Sequence, residues 1–257
     1  MACVTVGGKF IPVRFGPHCT YPYGQVTKAI KDEVLSAPAF LRWVGNLDPL
    51  LSLVSLSIQS VDIFCRGTPQ ERIGFIKLVA ETRDEEGTAR LSTVLLRGAS
   101  VAALIILSCE GEDYLLLTKQ AREPVGQSAL IEMVAGSMDN STNFFAKLLG
   151  ELKEETGMDF APEEVIDMMA LIGSDHPGTF YLSPGTMDEE MKFFLVRRTV
   201  SQRELQELTT RVCGLAEEGE CIRLVPQPML EARMTTRDGK LLIAIERYLF
   251  LKEGRFI

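Results

Sequence analysis

Three carboxylates, Glu151, Glu154 and Glu155, crowd into the string Glu-Leu-Lys-Glu-Glu. On a helix advancing about 100° per residue, with Glu151 at zero, Glu155 falls at roughly 40° and Glu154 at roughly −60°. Phe144, Leu148, Leu152, Phe145 and Leu149 occupy the arc from roughly 20° to 160°, so Glu155 stands among apolar residues. Like charges three or four positions apart on a helix repel, and a carboxylate turned towards a core must be paired or bound to a metal. A divalent cation resolves both difficulties. Mg²⁺ takes oxygen ligands and typically keeps waters and substrate phosphate oxygens, so the residues offer a divalent-cation site. The plain alternative is a solvated Glu-rich helix face, the usual reading of such a string. The place of Glu155 in the apolar arc brings the two readings level.

The elements that must position these groups can be read from periodicity. A helix over Asn143 to Thr156, stopped by Gly157, carries the carboxylates. A strand over Ala129 to Val134 leads into it. Before these come a short strand at Lys9 to Phe15, a helix marked by Val26, Ile30 and Val34, and a second helix at Ala39 to Val44. Leu51 to Ile58 is apolar and fits either helix or strand. Ile58 to Cys65, Ile73 to Glu81 and Ala89 to Leu96 read as successive strands. The continuous apolar run Val101 to Leu107 predicts a fully buried strand, paired in a hairpin with Tyr114 to Thr118. Further strands are expected at Asp167 to Ile172, Met191 to Arg197 and Cys221 to Val225. Ser201 and Glu204 form a capping box, and a last helix covers Lys240 to Leu251. Strands mixed with a few helices, without strict alternation, predict an α+β or sandwich-like fold rather than a doubly wound sheet.

Composition narrows the partners. The 257 residues carry a formal net charge of −8, which argues against a broad nucleic-acid footprint of Lys and Arg. The six cysteines form no Cys-x-x-Cys pair, and His18 and His176 lie far from any cysteine cluster, so a zinc site is not expected. They read as reduced, mostly buried thiols of an intracellular, cytoplasmic setting. An organellar address stays open. No apolar run approaches the ~20 residues that span a bilayer, and no secretory signal is expected.

Beyond the carboxylate string, the spacing from Gly136 resembles the Nudix signature G-x5-E-x7-R-E-U-x-E-E-x-G-U, where U is aliphatic. Gly136, Glu151, Leu152, Glu154, Glu155, Gly157 and Met158 occupy matching positions. Two positions depart: the first Glu is Thr142 and the Arg is Gly150. Gln120-Ala121-Arg122 with Glu132-Met133-Val134-Ala135-Gly136, and the stretch Ser183 to Met191, are similar to segments of ADP-ribose and ADP-sugar pyrophosphatases. Arg72 to Lys77, Arg97 to Ala102 and Ile222 to Pro226 are similar to segments of the plant-type ADP-sugar diphosphatases. The resemblance covers roughly residues 50–250.

That resemblance implies an α+β Nudix α/β/α sandwich with an N-terminal strand-rich extension. It divides the chain into an accessory segment 1–57, dimerising strands 58–98 and a catalytic domain 99–257. The implied reaction is Mg²⁺-dependent hydrolysis (Mn²⁺ as a substitute) of an ADP-sugar to AMP and sugar 1-phosphate. ADP-ribose, a dinucleotide, or binding with little turnover are the alternatives. The implied metal ligands are Glu151 and Glu155, with Glu154 close behind and also counted among the catalytic groups, and the Ala135 carbonyl at a turn before Gly136. Glu189, on a loop, is the implied general base, with Asp188 and Glu190 as substitutes. Arg122 is the implied phosphate-binding residue, and Glu132 contacts sugar or adenosine. A plain ion pair of Arg122 with Glu123 or Glu132, and a structural role for Glu132, are the alternatives. Gly150 lacks the charge that helps orient the carboxylates and costs ~1 kcal/mol against Ala in a helix. Lys147 or Lys153 could compensate in part, although the wheel places neither in an obvious substitute position. A homodimer is expected, because strands outside a closed core leave edges to be covered; the alternative is that residues 1–50 fold back over them.

Overall fold

The computed structural model describes residues 2–20, 27–69, 71–139, 141–172, 178–215 and 220–257. Val26 and His176 lie outside them. The chain forms two compact units, Met1–Ala99 with Tyr181–Glu190, and Ser100–Phe180 with Met191–Ile257.

The first unit is a five-stranded sheet in the order β1 (Ala2–Val6), β2 (Lys9–Thr20), β3 (Ser52–Phe64), β4 (Arg72–Arg83), β5 (Ala89–Leu96). β2 and β3 run parallel while the other neighbours are antiparallel. A parallel pair needs a long crossover, and the intervening chain supplies α1 (Lys28–Ser36) and α2 (Pro38–Gly45). Val34, Phe40 and Val44 from these helices join Leu56, Ile58, Val61, Ile76 and Leu78 in one buried core. The ambiguous stretch Leu51 to Ile58 is therefore strand, and the boundary placed between 57 and 58 falls inside β3. Of the described residues before 51, β2 pairs with β3 and extends the sheet through β1, while α1 and α2 cover it. β5 is left with a mostly exposed N-terminal half, where Leu91 is 76% exposed.

The second unit is built on β6 (Ser100–Cys109), buried along nearly its whole length as the apolar run predicts. β7 (Glu112–Arg122) returns beside it through Glu110 at φ 51° and Gly111 at φ 88°. Two left-handed residues make the tight turn that matches strand twist. The sheet goes on with β8 (Gln127–Glu132) on β7 and β9 (Val134–Ser137) on β6. Then come α3 (Phe144–Thr156), β10 (Val165–Asp167), β11 (Phe180–Tyr181), β12 (Glu190–Thr199), α4 (Gln202–Thr209), β13 (Val212–Cys213), β14 (Ile222–Pro228), α5 (Met229–Thr235) and α6 (Gly239–Glu253). β12 lies parallel to β6, β10 borders β12, and β14 borders β7. α3 and α6 both pack on β6. This is the α+β sandwich expected, and the capping box of α4 is present with both hydrogen bonds.

Three expectations change. The strand Ala129 to Val134 is two strands, because the Met133 N–H donates to the Asp238 carboxylate at 3.1 Å and the chain changes partner there, from β7 to β6. The strand Asp167 to Ile172 stops at Asp167, whose Oδ1 accepts from the N–H groups of Met169 and Ala170 and turns the chain into a 3₁₀ helix. Of the cysteines whose side chains are described, all free, only Cys109 is buried. Among the described residues no helix is long and apolar enough to cross a membrane.

Candidate active site

α3 begins at Asn143, whose side chain accepts from the Ala146 N–H, and ends at Gly157 with φ 65°, a left-handed cap. Between these caps the helix turns Leu148, Glu151, Leu152 and Glu155 inward. Glu151 is 8% exposed and Glu155 5%. Glu154 faces solvent. The structure thus separates the three carboxylates into two that are buried, where the wheel turned only Glu155 inward, and one that is not. Among the described residues no group of three His, Cys, Asp or Glu side chains is gathered as a metal cluster.

Gly136 explains part of the signature. It lies on β9 opposite Val101, and a Cβ there would come within 1.9 Å of the Glu151 carboxyl carbon. Any side chain at 136 would displace the carboxylate, so glycine is required by close approach. The turn expected at Ala135 is instead strand, Ala135 pairing with Ala102.

Glu155 is the anomaly of the unit. Its Oε2 is buried with no hydrogen-bond partner among the described residues. Burial pushes its carboxyl well above the usual carboxylate range, the Glu151 charge adds to the effect and Arg122 opposes it. A buried carboxylate without a partner is costly, and oxygen donors of this kind suit a hard cation such as Mg²⁺. Glu151 and Glu155 therefore fit a divalent ion, with Glu154 free in solvent.

Glu151 is raised in the same direction, chiefly by burial, with Lys147 opposing. Lys147 Nζ lies 2.8 Å from Glu151 Oε1 and 3.3 Å from Asp139 Oδ2. The wheel reading that denied Lys147 a substitute position is corrected here: the i,i+4 spacing from Lys147 to Glu151 brings them together. Gly150, by contrast, has open space within 4 Å of where a Cβ would be. Lys153 points elsewhere, pairing with Asp159.

Arg122 and Glu132 meet. Arg122 Nε donates to Glu132 Oε1 at 2.5 Å, and Lys240 Nζ donates to Glu132 Oε2 at 3.2 Å. Lys240 also contacts Asp238 at 2.9 Å. Glu132 thus has a cation on each oxygen, while the Arg122 side chain is 40% exposed and keeps other donors for a ligand. Sequence reading missed Lys240 and Asp238, which lie over a hundred residues downstream of Glu132 and Met133 with no motif to mark them.

Glu189 belongs to the first unit, and there it is not a free loop residue. It is 4% exposed and accepts from Arg97 Nη1 at 3.1 Å. Asp188 Oδ1 accepts from the N–H groups of Arg97 and Gly98, at 2.6 and 3.1 Å. A bridge from Leu95 to Met187 ties the same segment to β5. Asp188 is committed to the backbone, and Glu190 faces Arg42 at 3.6 Å. Arg97 stood in a quoted segment of the sequence, but its role as partner of Glu189 had no local signal.

Comparison with known proteins bears on this arrangement. No protein-family model matches the chain. It is 33% identical over 226 residues to Nudix hydrolase 14, chloroplastic, of Arabidopsis thaliana, covering 84% of this chain and 71% of that one. It is 27% identical over 157 residues to the ADP-ribose pyrophosphatase of Bacillus subtilis, covering 59% of this chain and 74% of the other. The fold matches a solved ADP compounds hydrolase with a TM-score of 0.50 at 15% identity, over 80% of this chain and 99% of that chain. With the signature residues of α3 and β9 placed as described, and a relative of this identity over most of both chains, the protein belongs to the Nudix hydrolase family.

Proposed function

We propose that the protein hydrolyses the diphosphate of an ADP-sugar, giving AMP and a sugar 1-phosphate. The observation that carries this reading is the buried Oε2 of Glu155, which has no hydrogen-bond partner among the described residues, beside Glu151. In this reading Glu151 and Glu155 hold Mg²⁺, or Mn²⁺ in its place; the family resemblance adds the Ala135 carbonyl and Glu154 as further ligands, the latter from the solvent side of α3. The ion supplies polarisation of the phosphoryl oxygens. Arg122, with donors left over from its bond to Glu132, binds and orients a phosphate. Glu132, fixed between Arg122 and Lys240, accepts from sugar or adenosine hydroxyls. Glu189 takes the proton of the water that attacks phosphorus as the P–O bond of the bridging oxygen breaks.

ADP-ribose is the second reading, favoured by the similarity to the Bacillus ADP-ribose pyrophosphatase. A panel of ADP-glucose, ADP-ribose and a dinucleotide with Mg²⁺ and Mn²⁺, scored for AMP release, tests both. Fastest release from an ADP-sugar is expected. No release from any substrate with either metal would overturn the reading in favour of a nucleotide-binding protein with little turnover.

The exposed half of β5 supports a homodimer, since an open strand edge invites pairing. The helices and strands of residues 1–50 meet part of that need within one chain. Light scattering is expected to give twice the 28.5 kDa chain mass; a value near 28.5 kDa would reject the dimer. The protein is read as intracellular, and a fluorescent fusion separates cytoplasm from chloroplast, the compartment in the name of the Arabidopsis relative.

A further inference from the structure

The two signature positions that this chain leaves unfilled are an acid, replaced by Thr142, and a base, replaced by Gly150. An acid and a base reappear at the same offset from both, at Asp139 and Lys147. On α3 that offset places Lys147 a little under one helical turn before Gly150, while Asp139 and Thr142 both precede the helix. In the structure the two residues form a pair, Lys147 Nζ standing 3.3 Å from Asp139 Oδ2 and 2.8 Å from Glu151 Oε1. The Lys147 side chain is 25% exposed, held beneath the surface rather than waving in solvent.

We infer that the Asp139–Lys147 pair does the work of the missing acid and base, with Lys147 as the positioning residue that holds Glu151. Glu151 is then fixed from two sides. The β9 backbone at Gly136 leaves no room for it to swing one way, and the ammonium holds Oε1 from the other, leaving Oε2 for an outside ligand. A cation here also offsets the repulsion between Glu151 and Glu155. Asp139 keeps Lys147 in place and sits at φ 48°, a left-handed conformation that Asp and Asn tolerate better than other side chains. Gly150 is free to vary because the space beside it is open and its former task is done one turn earlier.

This inference rests on the proposed reading of Glu151 as a metal ligand. Calorimetric titration of Mg²⁺ into wild type, Lys147→Met, Lys147→Met with Gly150→Arg, and Asp139→Asn tests it, with circular dichroism confirming the fold. Lys147→Met is expected to raise the Mg²⁺ Kd by roughly 10-fold or more, the usual cost of removing a group that orients a ligand. Gly150→Arg in that background restores most of the affinity, because a guanidinium placed in the open space can again pair with the carboxylates. Asp139→Asn weakens binding in the same direction, by less. An unchanged Kd in Lys147→Met overturns the inference, as does tighter binding, which would make Lys147 a competitor for Glu151. Failure of Gly150→Arg to restore affinity overturns the replacement. If Lys147→Met does not fold, Asp139→Asn, outside the helix, decides: an unchanged Kd there refutes the pair. Wild type that binds no Mg²⁺ refutes the ligand reading itself, whereas wild-type binding with indifferent variants refutes only the role of the pair.

Discussion

Glu132 and Glu155 lie in the same unit and are buried to nearly the same degree, 3% and 5% exposed. Their surroundings differ sharply. Glu132 has Arg122 on one oxygen and Lys240 on the other; Glu155 has an oxygen with no hydrogen-bond partner among the described residues. Burying a charge is tolerable when the protein supplies the partner and costly when it does not. In the proposed reading the difference separates a carboxylate that the fold has already satisfied from one that takes its partner from outside. Glu189, in the other unit and 4% exposed, resembles Glu132 in having an arginine partner, Arg97.

The comparison breaks most visibly at Glu155. Glu155→Gln removes the charge and keeps the shape, so most turnover should be lost while the metal-free protein melts at a higher temperature than wild type. Unchanged AMP release, or a lower metal-free Tm, would place Glu155 among ordinary core residues. Glu189→Gln comes next, with kcat expected to fall by ~10²–10⁴-fold, the range of a positioned general base, while Mg²⁺ affinity stays near wild type. Loss of metal affinity in Glu189→Gln, with loss of rate in Glu190→Gln, would exchange the two roles. Glu132→Gln sharpens the contrast with Glu155→Gln by its opposite sign. It weakens two charged hydrogen bonds and should destabilise the protein by about 1–3 kcal/mol, read by urea unfolding. A stability gain there would mean that the two cations do not satisfy Glu132. The smallest effect is expected from Gly150→Arg in otherwise wild-type protein. Lys147 already pairs with Glu151, so AMP release should stay close to wild type; a large rise would show that the absent arginine limits the enzyme.

Much of this was legible in the sequence where the signal is local. The apolar run of β6, the Gly157 stop of α3 and the capping box of α4 depend on neighbours within a few residues, and each is formed as read. The inward turn of Glu155 followed from the helical period alone. What was not legible depends on distant or side-chain-specific partners. The break between β8 and β9 is made by Asp238, and β10 ends because Asp167 bonds its own downstream backbone. Lys147 was visible at i,i+4 spacing from Glu151, but a wheel gives direction and not reach, and a lysine's long stem lets the ammonium cross the gap. Glu154 shows the reverse limit: adjacency in sequence to Glu155 did not give it the same environment.

The central claim is that Glu155, with Glu151, awaits a divalent cation. Calorimetric titration of Mg²⁺ into wild type and Glu155→Gln tests it directly. Saturable binding by wild type that is lost in the variant is the predicted result, and equal binding by the two proteins would contradict it.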